Sequence, residues 1–232
     1  MEPLVTSLVT STLDRYRTLA PTQRHLISIA GIPGSGKTTL AAHVVRGLNG
    51  ALGSEAAVMI PMDGYHLTRA QLSAMADPAR AHYCRGAHWT FDPAALAALI
   101  DACRAERALL ESVWAASFDH ALKDPVEGGV EVKPQHRILI FEGNYLSLSA
   151  PEEWRPVADA FDERWFVEVD EDVAKRRLAK RHVAAGICST LEEGLQRAEG
   201  NDIPNGRFLR ENRVEVDKIL RSEEDEGFAI GK

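Results

Sequence analysis

The sequence predicts an α/β fold around a doubly wound, mainly parallel sheet of about five strands, and two observations carry that prediction. Short runs of apolar residues, too short for helices and closed by glycine or acidic residues, recur along the 232-residue chain. Between them lie stretches whose apolar residues fall at helical spacing. Buried strands alternating with helices read as crossover units, in which helices cover both faces of the sheet.

In residues 1–20, Leu4, Val5, Leu8, Val9, Leu13 and Tyr16 fall at helical spacing, which predicts an amphipathic helix packed on the domain. The segment lacks a basic start followed by an unbroken apolar block, so it does not read as a secretory signal. HLISIAG (25–31) is a buried strand running into glycine, and a helix follows over 38–48. AAVMIPMDG (56–64) is a second strand ending in Asp63-Gly64, and TRAQLSAMAD (68–77) a short helix stopped before Pro78. Residues 78–92 read as irregular. Asp92-Pro93 has the form of an N-cap with proline in the first turn, opening a helix to Arg107.

Two strands near 111–133 are expected to pair as a small accessory ribbon. HRILIFEGNYLSL (136–148) holds a third buried strand ending in Glu142-Gly143, and ERWFVEVD (163–170) a fourth. A basic helix over 172–185 closes at Gly186, and another helix covers 190–199. NDIPNGRF (201–208) reads as a turn-rich loop. VEVDKILRS (214–222) supplies the last strand, and the acidic tail 223–232 is expected to be loose.

A chain of this length suits one domain, 1–232, with ordinary globular values of 45% hydrophobic and 26% charged residues. The net charge of −7 argues against a general nucleic-acid binder. It leaves room for a phosphate site, because local cations and backbone N–H groups outweigh distant carboxylates. Cys84, Cys103 and Cys188 are odd in number and lack metal-like spacing, so they read as reduced thiols of a cytoplasmic protein. No apolar run approaches the ~18 residues of a membrane span.

GIPGSGKT (31–38) fits G-x-x-x-x-G-K-[ST], the P-loop pattern, with a strand before it and a helix after it. Gly31, Gly34 and Gly36 let backbone N–H groups approach phosphate oxygens that a Cβ would obstruct. Lys37 is placed to reach the β- and γ-phosphates and the Thr38 hydroxyl to ligate Mg²⁺, with Ser35 and Thr39 completing the seat of the nucleotide over 31–39. No N-K-x-D or T-x-x-D string is present to read guanine, so ATP with Mg²⁺ is expected. In open parallel sheets ligands collect at the carboxyl edge of the strands. Asp63 and Glu142 both stand there, each able to hold Mg²⁺ or accept the proton of an attacking hydroxyl, and the residues alone leave open which does which.

GIPGSGKTT, MDGYH and RILIFEGNYL, in that order and spacing, resemble the P-loop small-molecule kinases that include uridine kinase, pantothenate kinase and phosphoribulokinase. The resemblance covers 25–222 and is strongest to uridine-kinase-like members. It implies that Asp63 is the general base near the metal and that Glu142 helps hold Mg²⁺. It also implies a lid over 172–199, whose Arg176, Arg177 and Arg181 close on the triphosphate, with Arg177 favoured as a catalytic residue beside Asp63 and Lys37. Asn201 and Asn205 match a segment that lies against adenine in pantothenate-kinase-like members.

Three segments are expected to line the acceptor pocket: Tyr65, His66 and Arg69; Arg85, His88 and Trp89; and Phe118, Asp119, His120 and Lys123, the last set resembling the family's substrate strand. Tyr65, His66, Arg85, Phe118 and His120 are the main candidates. The expected partner is a small hydroxyl-bearing metabolite (a nucleoside, a sugar or a pantothenate-like compound), with no nucleic acid or membrane, and a homodimer is left open. The rival is a P-loop NTPase that couples ATP hydrolysis to a partner protein. The long polar segment 64–134 argues against it.

Overall fold

The computed structural model describes residues 2–119 and 121–222, and the acidic tail 223–232 lies outside the described residues. Helix α1 (Glu2–Arg17) leads into β1 (His25–Gly31), α2 (Lys37–Leu52) and β2 (Ala57–Pro61). After β2 come a 3₁₀ turn (Met62–Tyr65), α3 (Arg69–Ser73), α4 (Pro78–Tyr83) and α5 (Pro93–Arg104). The antiparallel ribbon β3 (Val113–Asp119) and β4 (Asp124–Val132) follows, then β5 (Ile138–Gly143), α6 (Arg155–Asp159) and β6 (Glu163–Glu168). Helix α7 (Glu171–Ala184), α8 (Leu191–Arg197), a π turn (Ala198–Asp202), α9 (Ile203–Asn212) and β7 (Lys218–Arg221) complete the order.

The main sheet is parallel throughout, in the order β2-β5-β1-β6-β7. All seven residues of β1 are buried, as befits a central strand covered on both faces. Alternate residues point to opposite faces, so each strand feeds two cores. Ile27, Ile29, Ile138, Ile140 and Trp165 pack under α1 and α2 with Leu8, Val44 and Leu48. Leu26, Ala30, Leu139, Phe141 and Phe166 meet Tyr145, Trp154, Leu99 and Leu209 on the other face. This two-sided burial accounts for unbroken apolar runs where a one-sided sheet would alternate.

Register fixes what stands at the carboxyl edge. Ile29 lies opposite Glu142, and Pro61, two residues before Asp63, also lies opposite Glu142. The glycine loop and both acids therefore leave the sheet side by side.

The expected five strands, flanking ribbon and the two helices expected over 172–199 are all present. Three stretches differ in detail. Residues 78–92 are not wholly irregular, because Asp77 accepts from the Arg80 N–H and caps α4, with Pro78 in its first turn. The helix from Pro93 stops at Arg104. The supposed loop 201–208 is helical, running from the π turn into α9. Pro204 sits in the first turn of α9, where a missing N–H costs little. Gly206 is a packing residue, since a Cβ there would lie 3.0 Å from that of Ile32.

Candidate active site

Strand β1 delivers Gly31 to the sheet edge, and α2 begins at Lys37. The residue capping α2, Gly36, is left-handed (φ 86°) and offers no side-chain cap. The first-turn N–H groups of α2 thus keep no side-chain partner at the cap, which is the form of an anion seat. The buried Ser35 hydroxyl also has no hydrogen-bond partner among the described residues. These orphaned donors fit phosphate oxygens.

Thr38 Oγ1 donates to Glu142 Oε2 at 3.0 Å. Lys37 is half-buried at the wall of the site. Burial pushes its ammonium down from the ordinary lysine value, while Glu142 and Asp63 pull it back. Burial likewise pushes the Glu142 carboxyl up, against Lys37, with Asp63 adding to the rise. Among the described residues no three His, Cys, Asp or Glu side chains cluster to hold a metal by themselves. A threonine hydroxyl and one or two carboxylates do suit Mg²⁺, which keeps waters and takes the rest of its shell from phosphate.

The turn that carries Asp63 is clamped. A Cβ on Gly64 would lie 2.1 Å from the Ala116 carbonyl oxygen, so the ribbon presses directly on the turn. The Tyr65 hydroxyl bonds to the Ala116 backbone from the same turn, and burial raises its pKa to about 12.

A cavity of about 880 Å³ opens from these residues. Lys37, Thr38, Asp63 and Glu142 line one part of it, His66, Arg85 and Phe118 another, and Arg181 and Asn201 its α7–α9 side. The His66 ring lies between Phe91 and Phe118, at centroid distances of 3.9 and 5.0 Å. Its Nδ1 is 2.9 Å from the Asp63 carbonyl, which only accepts, so Nδ1 carries the hydrogen. Arg85 donates to the carbonyls of Leu67 (2.8 Å) and Lys123 and to Asp124 (2.9 Å), and so anchors the ribbon tip.

Other sequence candidates lie apart from the cavity. Tyr65 is committed to the ribbon. Arg177 donates to the Gly34 carbonyl (3.3 Å) and the Ser222 hydroxyl (2.9 Å), flanking the glycine loop, whereas Arg181 one turn later faces the cavity. Arg176 is exposed, and Asn205 donates to Asn201. His88 stacks on Phe208. His120 lies outside the described residues.

The cavity also takes in Asn144, His82, His182, Arg197 and Asp202, which sequence reasoning missed. His182 Nε2 pairs with Asp202 at 2.9 Å. Arg197 stands four residues before Asn201, a helical spacing that becomes visible once 198–202 is known to be helical.

No family model matches the chain. It is 41% identical over 199 residues to a Schizosaccharomyces pombe protein named "Putative uridine kinase", covering 86% of this chain and 83% of the relative. It is 46% identical over 161 residues to an Aspergillus versicolor "ATP-dependent kinase-like protein", covering 68% and 92%. The crystal structure of a "putative fructose transport system kinase" from Silicibacter sp. TM1040 superposes with a TM-score of 0.79 at 32% identity, covering 93% of this chain and 98% of that one. All three names describe kinases, which favours phosphate transfer over partner-coupled hydrolysis. Among the described residues no helix is long and apolar enough to cross a membrane.

Proposed function

The chain belongs to the uridine-kinase-like P-loop kinases, and on that footing we propose that it transfers the γ-phosphate of ATP to a hydroxyl of a small metabolite. The observation that carries this reading is the meeting of Lys37, Thr38, Asp63 and Glu142 in one cavity that continues past His66 and Phe118. Hydrolysis alone needs no such lined extension.

Residues 31–39 seat the triphosphate, with Arg177 bracing the outer side of the loop. Thr38 and Glu142, with Asp63, would hold Mg²⁺, which supplies positive charge to the phosphate oxygens. Asp63 takes the proton of the acceptor hydroxyl as that oxygen bonds to the γ-phosphorus and the bond to ADP breaks. Lys37 and Arg181 offset the charge on the transferring group. The His66 ring and the Phe118 and Phe91 rings beside it line the acceptor end of the cavity and exclude water.

The test is Asp63→Asn with a panel of hydroxyl acceptors. Acceptor-dependent ADP release is expected to fall by about 10³-fold, while ATP-analogue binding stays within a few-fold of the parent. Near-normal transfer would remove the base assignment. ADP release that no acceptor stimulates would favour the hydrolytic rival.

A further inference from the structure

The charge of the cavity is unbalanced. Six lysine and arginine side chains line it against three carboxylates, in a chain of net charge −7. Lys37 and Arg181 act on Glu142, and Arg85 is paired with Asp124. Arg69, Lys123 and Arg197 remain, and none of them forms an ion pair among the described residues.

These three come from different elements and line the same cavity. The Arg69 N–H donates to Asp124 at 2.8 Å, next to the Lys123 carbonyl that Arg85 grips. Lys123 is the only described non-glycine residue with a left-handed backbone (φ 57°), so the Arg85 contact holds it in an uncommon conformation. Arg197 enters from α8, its guanidinium 5.8 Å from the Tyr83 ring centroid and its Nε buried without a hydrogen-bond partner. None of the three is among the charges that act most on Lys37, which are Glu142, Asp63, Arg181 and Asp202.

Arg69 and Lys123 are exposed and Arg197 half-buried, and cations lining one cavity together give it a positive potential that draws anions in. The triphosphate is served by Lys37, Arg181 and the loop. We propose that the acceptor itself is anionic: a small hydroxy metabolite bearing a carboxylate or phosphate, which Arg69, Arg197 and Lys123 hold while its hydroxyl lies at Asp63. This inference rests on the kinase reading for its orientation. A neutral nucleoside or sugar would leave Lys123 and Arg197 without an anionic partner and Arg69 with only the Asp124 it shares with Arg85.

The experiment is calorimetric titration with the glycine loop already filled by Mg²⁺ and adenosine 5′-(β,γ-imido)triphosphate, so that added anions cannot bind there. D-Glycerate is compared with glycerol, and ribose 5-phosphate with ribose. At least one anion is expected to bind ten-fold or more tightly than its neutral counterpart, and the pair that shows the gap tells carboxylate from phosphate. Arg69→Gln and Arg197→Gln should each shrink that gap at least five-fold, and nucleotide affinity in the same samples reports an intact fold. Absence of a gap in both pairs, or a gap that survives both substitutions, overturns the proposal. Loss of the transfer reading through the Asp63→Asn assay would leave this binding result standing, so the two failures are distinguishable.

Discussion

The Thr38 hydroxyl donates to the Glu142 carboxylate across 3.0 Å, tying the first turn of α2 to the end of β5. The contact joins two residues that a divalent ion would also need. Glu142→Gln keeps the shape and the hydrogen bond but removes the charge. The expected result is a fall in turnover of about 10²-fold or more and a marked rise in the Mg²⁺ concentration for half-maximal rate. Steady-state kinetics at varied Mg²⁺ check it. Unchanged Mg²⁺ dependence would place the metal elsewhere.

Gly64 has no room for a side chain, because a Cβ would lie 2.1 Å from the Ala116 carbonyl oxygen. Gly64→Ala must push the ribbon off the Asp63 turn. Overpacking of this kind costs about 1–3 kcal/mol, or a melting temperature lower by roughly 2–10 °C. Turnover should fall further than the lost stability explains, since Asp63 moves with the turn. Thermal unfolding and kinetics on one sample separate the two effects.

Arg85 spans the Leu67 carbonyl, the Lys123 carbonyl and Asp124. Lysine cannot reproduce that fork. Arg85→Lys is expected to raise the acceptor KM about ten-fold with little change in the ATP KM, and to speed proteolytic cleavage near 121–123. Equal effects on both KM values would deny it a role specific to the ribbon tip.

Glu163 gives a pH signature away from the site. Burial raises its pKa, but hydrogen bonds from His25, Lys218 and Trp165 outweigh that and bring it down to about 2. A carboxyl whose folded pKa lies below its unfolded value stabilises above the unfolded value, ordinarily 4.5. That stability is lost as pH falls from there through 2. The shift corresponds to about 3 kcal/mol. Glu163→Gln should therefore be less stable near neutrality by about 2–3 kcal/mol, with the difference closing as the pH approaches 2. Denaturant melts at several pH values check the sign.

The nucleotide end of the site was legible because its parts are contiguous. Gly31 through Thr38 form a single run, so local spacing is enough to read them. Asp63 and Glu142 were legible for a different reason: parallel strands in register bring their ends together, so an acid closing each apolar run lands at one edge. The acceptor wall depends on packing between distant segments. Tyr65 looked like a pocket residue until the ribbon was seen lying on it. Arg177 and Arg181 share one helix, and only the placement of α7 against Gly34 decides which faces inward. Arg197 was hidden because Asn201, Pro204 and Gly206 mimic turn chemistry, whereas a π turn and close packing on Ile32 make the stretch helical.

The strand order places both acid-bearing strands on the same flank of β1, while β6 and β7 occupy the other, where Arg177 and Ser222 meet the loop. On the proposed reading, each reactant approaches from its own flank. The reading then predicts that ATP and ADP exchange while the second substrate stays bound. Initial-rate plots should then intersect to the left of the axis, the mark of a ternary complex, in contrast to the parallel lines of a phosphorylated-enzyme route.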